Sequence, residues 1–226
     1  MPRHWAHVRG VNFKRNVTVQ YTLQFQQVIP DMLEHETILW NQGLMHVGGI
    51  DEVGRGALAG PVVAAVVILP PTIVIDGVFD SKKLRKRARE DALSKICEIA
   101  IDIGIGYATP EEIGEFNIVE ASLLAMQRAI DLLECLPQAL LVDGIRHVPG
   151  ASCPQFVLTK GDQRSQTVAA ASIVAKVTRD HLMYKLHKEN PGYGWATNVG
   201  YPTPSHYRAL SEIGPSTHHR RTFRLL

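Results

Sequence analysis

Apolar positions along this 226-residue chain change period repeatedly, from runs and alternations typical of strands to the three-to-four spacing of helices. Val47-Gly48-Gly49-Ile50 leads into Asp51 as a first strand, and the Val- and Ile-rich run 61–69, closed by Pro70-Pro71, is a second. Ile101, Ile103, Ile105 and Tyr107 alternate with a period of two and predict a third. Ala139-Leu140-Leu141-Val142-Asp143 and Phe156-Val157-Leu158 are two further short strands. Helical patterns separate them. A short helix is expected over 32–40, and a basic one over 82–99, capped by Asp80-Ser81, with Leu93, Ile96 and Ala100 at helical spacing. Asn117 with Glu120 resembles a capping box and starts a helix whose apolar face is Leu123, Met126, Ile130 and Leu133. A long helix over 166–188 stops at Asn190-Pro191, and a last one is capped by Thr203, with Pro204 in its first turn and Gly214-Pro215 past its end.

Strands alternating with helices predict an α/β fold. The link between the first two strands is too short for a parallel crossover, so they pair antiparallel and the sheet is mixed. Residues 1–28 are polar and without pattern, and are set apart as an extension.

Composition adds boundaries. Apolar residues at 45% and charged residues at 20% are ordinary for a globular protein, and the length suffices for a real core. A net charge of +2 does not by itself imply nucleic acid. Basic residues do cluster, at Lys82, Lys83, Arg85, Lys86, Arg87 and Arg89 and again at Arg220, Arg221 and Arg224, which read alone are solvated helix faces. Three cysteines, an odd number without CxxC spacing, argue against a disulfide framework or a zinc site and fit a reducing cytoplasm. Neither a signal-peptide core nor a bilayer-length apolar run is present, so a soluble cytoplasmic protein with no membrane partner is expected. Nothing suggests an oligomer, and a monomer is expected.

The chemistry concentrates in acids at strand ends. Asp51 and Glu52 stand side by side where the first strand runs out, Asp143 ends the fourth, and Asp162 follows the fifth by a few residues. Ligands of open α/β sheets gather beyond strand ends. Several carboxylates brought there repel one another, and hard divalent cations relieve that repulsion. Two such ions, about 4 Å apart, can activate a water and stabilise the leaving oxygen of a phosphodiester. Simpler readings stand beside this one: Asp143-Gly144 is a common strand-to-turn ending, and Asp162 can cap the helix that follows. Strand alternation also sends Asp51 and Glu52 to opposite faces, so Glu52 reaches a shared metal only if the strand ends or bends there. Gly54-Arg55-Gly56 is either a plain turn or a backbone that a nucleic-acid strand approaches closely, and Tyr201 is either a packing anchor or a face for a sugar or base.

The blocks GIDEVGRGALAGPVVAA, DSKKL, LVDG, TKGD, AAASIVAKVTRD, GYPT and HHRR, in this order, resemble the bacterial ribonuclease HII family from about residue 30 to the end. Gly54-Arg55-Gly56 favours this family over its sister, ribonuclease HIII, which carries a GTG-type triplet. The resemblance implies a ribonuclease H-like five-stranded mixed sheet flanked by helices, forming a catalytic domain over 29–190, with a smaller helical substrate-binding part over 191–226. It implies an endonuclease that cuts the RNA strand of RNA–DNA hybrids and nicks 5′ of ribonucleotides embedded in duplex DNA, leaving 3′-hydroxyl and 5′-phosphate ends. The family's metal ligands fall on Asp51, Glu52, Asp143 and Asp162, with two Mg²⁺ or Mn²⁺ ions. Its 2′-hydroxyl reader falls on Gly54, Arg55 and Gly56, its junction-sensing tyrosine on Tyr201, and a segment near the phosphate backbone on Lys82 and Lys83. Asp180, inside the KVTRD block, reads as structural, paired with Lys176 or bracing Arg179. Ile145 stands where many relatives have a polar residue. A catalytically silent nucleic-acid binder, or another metal-dependent nuclease of the same fold, are the competing classes.

Overall fold

The computed structural model describes residues 31–79 and 84–225. Five strands, β1 (Val47–Val53), β2 (Val62–Ile68), β3 (Asp102–Ala108), β4 (Ala139–Asp143) and β5 (Gln155–Leu158), form one sheet in the order β3-β2-β1-β4-β5. β1 and β2 pair antiparallel, as the short link requires, and β2 pairs antiparallel with β3, whereas β1–β4 and β4–β5 are parallel. β2 reads as an unbroken apolar run because helices bury both faces of the sheet. One face packs on α3 (Pro110–Asp131), where Ile50, Val66, Leu140 and Val142 meet Ala125, Met126 and Ile130. The other carries α2 (Lys86–Ile99) and α4 (Gln166–Glu189), through Ala65, Val67, Ile96, Ala169 and Ile173.

α4 lies directly on the strand that carries the acids. A Cβ at Gly49 would sit 2.2 Å from the Thr167 carbonyl carbon, so only glycine allows this approach. The start of α4 is clamped by Glu36 of α1 (Glu34–Trp40), whose Oε1 accepts from the Ser165 hydroxyl at 2.7 Å, the Thr167 amide at 3.0 Å and the Thr167 hydroxyl at 2.8 Å. A buried carboxylate at a helix N-terminus is favourably placed, although all three of these bonds go to Oε1 and Oε2 is buried without a hydrogen bond among the described residues. The cap of α4 is Ser165, which accepts from the Val168 amide at 3.1 Å, and not Asp162.

Two helix starts differ from expectation. α2 begins at Lys86 because Arg85 is extended (φ −69°, ψ 158°) and supplies no side-chain cap. The expected Asp80-Ser81 cap and Lys82 and Lys83 lie outside the described residues. α3 begins at Pro110, behind a capping box in which Thr109 Oγ1 accepts from the Glu112 amide at 3.3 Å and Glu112 Oε2 from the Thr109 amide at 2.8 Å. Its first two turns bury only Ile113, too little for apolar periodicity to register. Asn117 (φ 71°) then breaks the helix and restarts it, its Oδ1 accepting from the Val119 and Glu120 amides at 2.9 and 3.2 Å. Glu120 turns to Arg146 at 2.9 Å, so only half of the expected capping box forms there.

Beyond α4 come α5 (Trp195–Asn198) and α6 (Pro204–Ile213), the latter capped by Thr203 as expected. Their core of Tyr193, Trp195, Ala209 and Leu210 is completed by Leu58 and Ala59 from the β1–β2 connection and Met183 from α4. Residues 191–225 therefore share a core with the sheet domain. Arg220, expected on a basic surface, is fully buried in this core, because the segment crosses the β1–β2 connection instead of forming a helix. Among the described residues the three cysteines are free thiols and no helix is long and apolar enough to cross a membrane.

His206 and His219 are buried in the same core. Burial, and then the neighbouring His206, press His219 down from 6.5 to about 4. A group bound by a proton in the unfolded chain but not in the folded one destabilises the fold as pH falls. The stability held by neutral His219 is complete above about pH 6.5 and is lost as pH falls towards 4. Thermal unfolding followed over this window should show a falling Tm, and His219→Gln should flatten that fall. An identical acid slope in the variant would remove His219 as its source.

Candidate active site

The register places the acids. β1 and β4 run parallel with Ile50 opposite Val142, so the residues that follow, Asp51 and Asp143, stand side by side where the strands finish. Asp51 is 5% exposed; its Oδ1 accepts from the Glu52 amide at 2.7 Å, and the hydroxyl of Ser172 on α4 also bonds its carboxylate. β1 neither ends nor bends at Glu52 but stays paired with β2 as far as Val53. Glu52 accordingly shares the α3 face with Ile50, and Asp51 shares the α4 face with Ala65, as strand alternation demands. Asp143 lies within the electrostatic reach of both.

That arrangement makes ionisation costly. Burial, then Asp143, then Glu52 push the Asp51 carboxyl well above its ordinary range, against the opposing hydrogen bonds from Ser172 and the Glu52 amide. Burial likewise raises Glu52, offset by Arg55, whose Nη1 lies 3.0 Å from Glu52 Oε1, and supported by Asp143. Asp143 Oδ1 accepts from the Gly161 amide at 2.7 Å, which seats the 161–163 turn against the end of β4. That turn carries Asp162, buried at 1% exposure in the same corner. Among the described residues, no three acidic, histidine or cysteine side chains already converge into an ion cage. The donor set still fits a divalent cation: hard carboxylate oxygens, desolvated and mutually repelled, gain most from a compact double positive charge.

The Gly54-Arg55-Gly56 turn borders the acids. Gly54 has φ +98°, and a Cβ there would meet Arg179 Nε at 2.2 Å, so this glycine serves the turn's fold and the passage of a buried arginine. Gly56 differs: it is exposed, and a Cβ there would find nothing within 4 Å, which leaves open space over the turn. Arg179 bonds three carbonyls, Pro61 through Nε at 3.0 Å, Val199 through Nη1 at 2.9 Å and Ala59 through Nη2 at 3.1 Å. Arg220 bonds Gly60 and Arg55 carbonyls at 3.0 and 2.8 Å. The Tyr201 ring lies 5.3 Å from the Arg179 guanidinium and 5.9 Å from Lys176 Nζ, cation–π distances. The Leu58 amide donates to the Gly200 carbonyl at 2.8 Å, so the turn and the tyrosine segment are joined directly as well.

Asp180 is structural, as read: Lys176 Nζ sits 2.7 Å and Arg89 3.7 Å from its carboxylate. Ile145 is 81% exposed beside Asp143, on a cavity of about 290 Å³ also lined by Glu52, Arg55, Ser122 and Arg146. Motif reading missed Ser172, Glu36, Arg179 and Arg220 as working parts. For Ser172 and Arg179 the available signal was polar residues inside the long helix, whose first half is apolar on all sides, since such residues need partners; Glu36 and Arg220 carried no comparable local signal.

A mixed five-stranded sheet with converging acids at the ends of β1 and β4 defines a nuclease of the ribonuclease H-like class. The family model for ribonuclease HII matches residues 48–226. A ribonuclease HII of Salinibacter ruber is 48% identical over 197 residues, 86% of this chain and 98% of its own length. The crystal structure of the ribonuclease H2 from Pyrococcus horikoshii superposes with a TM-score of 0.66 at 29% identity, covering 80% of this chain and 95% of that one. The structure of Bst-RNase HIII in complex with Mn²⁺ shares the fold, at a TM-score of 0.61 and 20% identity over 80% of this chain and 68% of that one. The chain belongs to the ribonuclease HII family, and it is an endoribonuclease of that type.

Two stability measurements probe this site. A carboxyl whose folded pKa is raised contributes stability only below its unfolded pKa and loses it as pH rises through the folded one. In chelator at neutral pH, Asp51→Asn should therefore raise Tm, by roughly 2–4 °C for each kcal/mol of relieved repulsion. It should also abolish the Tm increase that millimolar Mg²⁺ gives the unaltered protein. A lower Tm in chelator would contradict the electrostatic account. Arg179→Lys should cost about 3 kcal/mol in denaturant unfolding, because an ammonium cannot span three carbonyls held by a planar fork.

Proposed function

We propose that Asp51, Glu52, Asp143 and Asp162 hold two divalent ions, Mg²⁺ or Mn²⁺, at a scissile phosphodiester 5′ of a ribonucleotide. The substrates are RNA–DNA hybrids and duplex DNA with embedded ribonucleotides, and the products carry 3′-hydroxyl and 5′-phosphate ends. The observation that carries this reading is the electrostatic strain shared by Asp51, Glu52 and Asp143 beside an exposed glycine turn. A protein that only bound a polyanion would gain nothing from desolvated acids facing it. When bound, the ions neutralise the phosphate, activate a water and stabilise the leaving oxygen.

Each residue's contribution follows from its surroundings. Ser172 and the Glu52 amide orient the Asp51 carboxylate from the α4 side, and the Gly161 amide orients Asp143. Because β1 runs straight, Glu52 approaches from the other face of the sheet, held by Arg55 and near Asp143, so its place in this proposal is at an ion beside Asp143 and not at one on the Asp51 face. Specificity comes from the Gly54–Gly56 backbone, which accepts the close approach of a strand and reads its 2′-hydroxyl. Tyr201 packs its face on the sugar at the RNA–DNA junction, and Lys82 and Lys83 lie along the phosphate backbone. Residues 191–226 hold Tyr201 for substrate binding. The enzyme is proposed to act as a monomer, and three free thiols fit the reducing cytoplasm.

A DNA duplex containing one ribonucleotide, assayed with Mg²⁺, with Mn²⁺ and with chelator, tests the reading. A metal-dependent nick 5′ of the ribonucleotide is expected, and none from Asp51→Asn although the variant still binds the duplex. Equal cutting of an all-DNA duplex would instead indicate a general nuclease of this fold. Tyr201→Ala should lower kcat at a single ribonucleotide by about 10- to 100-fold while leaving Tm within a few degrees.

A further inference from the structure

His206 and His219 form a chain of hydrogen bonds that ends on the backbone of Tyr201. The Ser216 amide donates to His219 Nδ1 at 3.0 Å, so that nitrogen is an acceptor and the His219 proton is on Nε2. Trp195 Nε1 donates to His206 Nε2 at 3.1 Å, which makes that nitrogen an acceptor too. The Nε2–Nε2 contact of 3.1 Å is then a bond from His219 to His206. The only proton left to His206 is on Nδ1, and it is donated to the Tyr201 carbonyl at 3.0 Å. One neutral proton order gives every ring nitrogen a donor or acceptor role, with the single lone pair of His206 Nε2 shared between Trp195 and His219 and that of His219 Nδ1 between the Ser216 amide and hydroxyl. A second proton on either ring would set N–H against N–H, at Ser216 or at Trp195. The rings are packed in place by Tyr193, whose centroid lies 4.7 Å from His219 and 6.3 Å from His206.

This costs more order than a helix cap needs. The Thr203 hydroxyl already caps α6, and His206 in its first turn adds a directed bond back to the residue that precedes the cap. Tyr201 is otherwise tied through its own amide, at 2.8 Å to the Asn198 carbonyl, and by its ring against Arg179. The His206 bond supplies the third restraint, and it fixes the peptide plane from which the side chain departs.

We propose that His206, with its proton order set by His219, is a positioning residue that aims Tyr201 at the RNA–DNA junction. The inference rests on Tyr201 as the junction reader. Two substitutions divide the imidazole between them. His206→Asn keeps a donor where Nδ1 stood and so keeps the Tyr201 bond, but leaves Trp195 and His219 unanswered. His206→Gln does the reverse, answering Trp195 and His219 and releasing Tyr201. Steady-state kinetics are measured on a duplex with one ribonucleotide and on a long RNA–DNA hybrid, with Tm for each variant, alongside Tyr201→Ala and Tyr201→Ala/His206→Gln.

The Gln variant should lower the ratio of kcat on the single ribonucleotide to kcat on the hybrid by about tenfold, at near-constant KM. The Asn variant should change that ratio by less than about threefold, and the double variant should be no worse than Tyr201→Ala. Losses that follow Tm across both His206 variants, or that multiply in the double variant, would overturn the positioning role. If Tyr201→Ala itself leaves the ratio intact, the junction-reader assignment fails first and the inference falls with it.

Discussion

Two guanidinium groups buried without a bidentate carboxylate partner carry the architecture around the acids. Arg179 and Arg220 are both fully buried, and burial lowers both: Arg220 is pulled down to about 9 by burial and then by Arg179, while Arg179 is lowered by burial against the opposing pull of Tyr201 and Asp180. Burying even one such ion is expensive unless its donors are answered. Here the answer is backbone, with Arg220 Nη2 left buried without a hydrogen bond among the described residues. Five carbonyls from Arg55, Ala59, Gly60, Pro61 and Val199 accept from the two side chains, and the rings of Tyr201 and Phe223 lie over them at 5.3 and 5.2 Å. Four of those carbonyls lie between Arg55 and Pro61. The turn after β1 and the segment before Tyr201 therefore cannot move independently without exposing a buried charge.

The acids pose the opposite problem, negative charge held close together. Arg55 relieves Glu52 only, and Ser172 gives Asp51 a neutral donor, so the repulsion between Asp51 and Asp143 stays in the folded chain. Helix α4 supplies both settlements. Its first half presents Ser172 to Asp51, and two turns later Arg179 locks the turn beyond β1. Gly49 and Glu36, far apart in role, serve the same end by bringing the start of this helix onto β1.

Most of the fold was legible because each element announces itself locally: β2 by its Val and Ile run, α6 by Thr203-Pro204 and Gly214, the antiparallel start by a short link. The first turns of α3 were not, since Thr109 and Glu112 specify them through a capping box that ends on charged surface rather than through a buried face. For the site, Asp51, Glu52 and Asp143 were readable as acids at strand ends. That Glu52 comes from the opposite face follows from β1 running straight to Val53, which depends on pairing with β2. Gly54 was readable as a turn glycine, but its reason, Arg179 at 2.2 Å from an added Cβ, is a contact across 125 positions of sequence (179 minus 54) that no local pattern encodes.

The same logic explains why arginines, and not lysines, hold the recognition loops. A lysine ammonium has three donors that rotate about one axis and is strongly hydrated, whereas the guanidinium fork fixes donor directions before any bond forms. Arg179 uses its Nε, Nη1 and Nη2 towards three carbonyls on two chain segments, so the spacing of Ala59, Pro61 and Val199 is measured against a rigid plane. A reader of the 2′-hydroxyl must discriminate a single oxygen atom, which requires backbone positions held more tightly than loops usually are. In the proposed role of this turn, rigidity of that kind comes from below the surface, which leaves the exposed face of Arg55 and Gly56 open. Burying two cations under an exposed turn achieves both: the carbonyl side is anchored in the core while the outer side stays exposed.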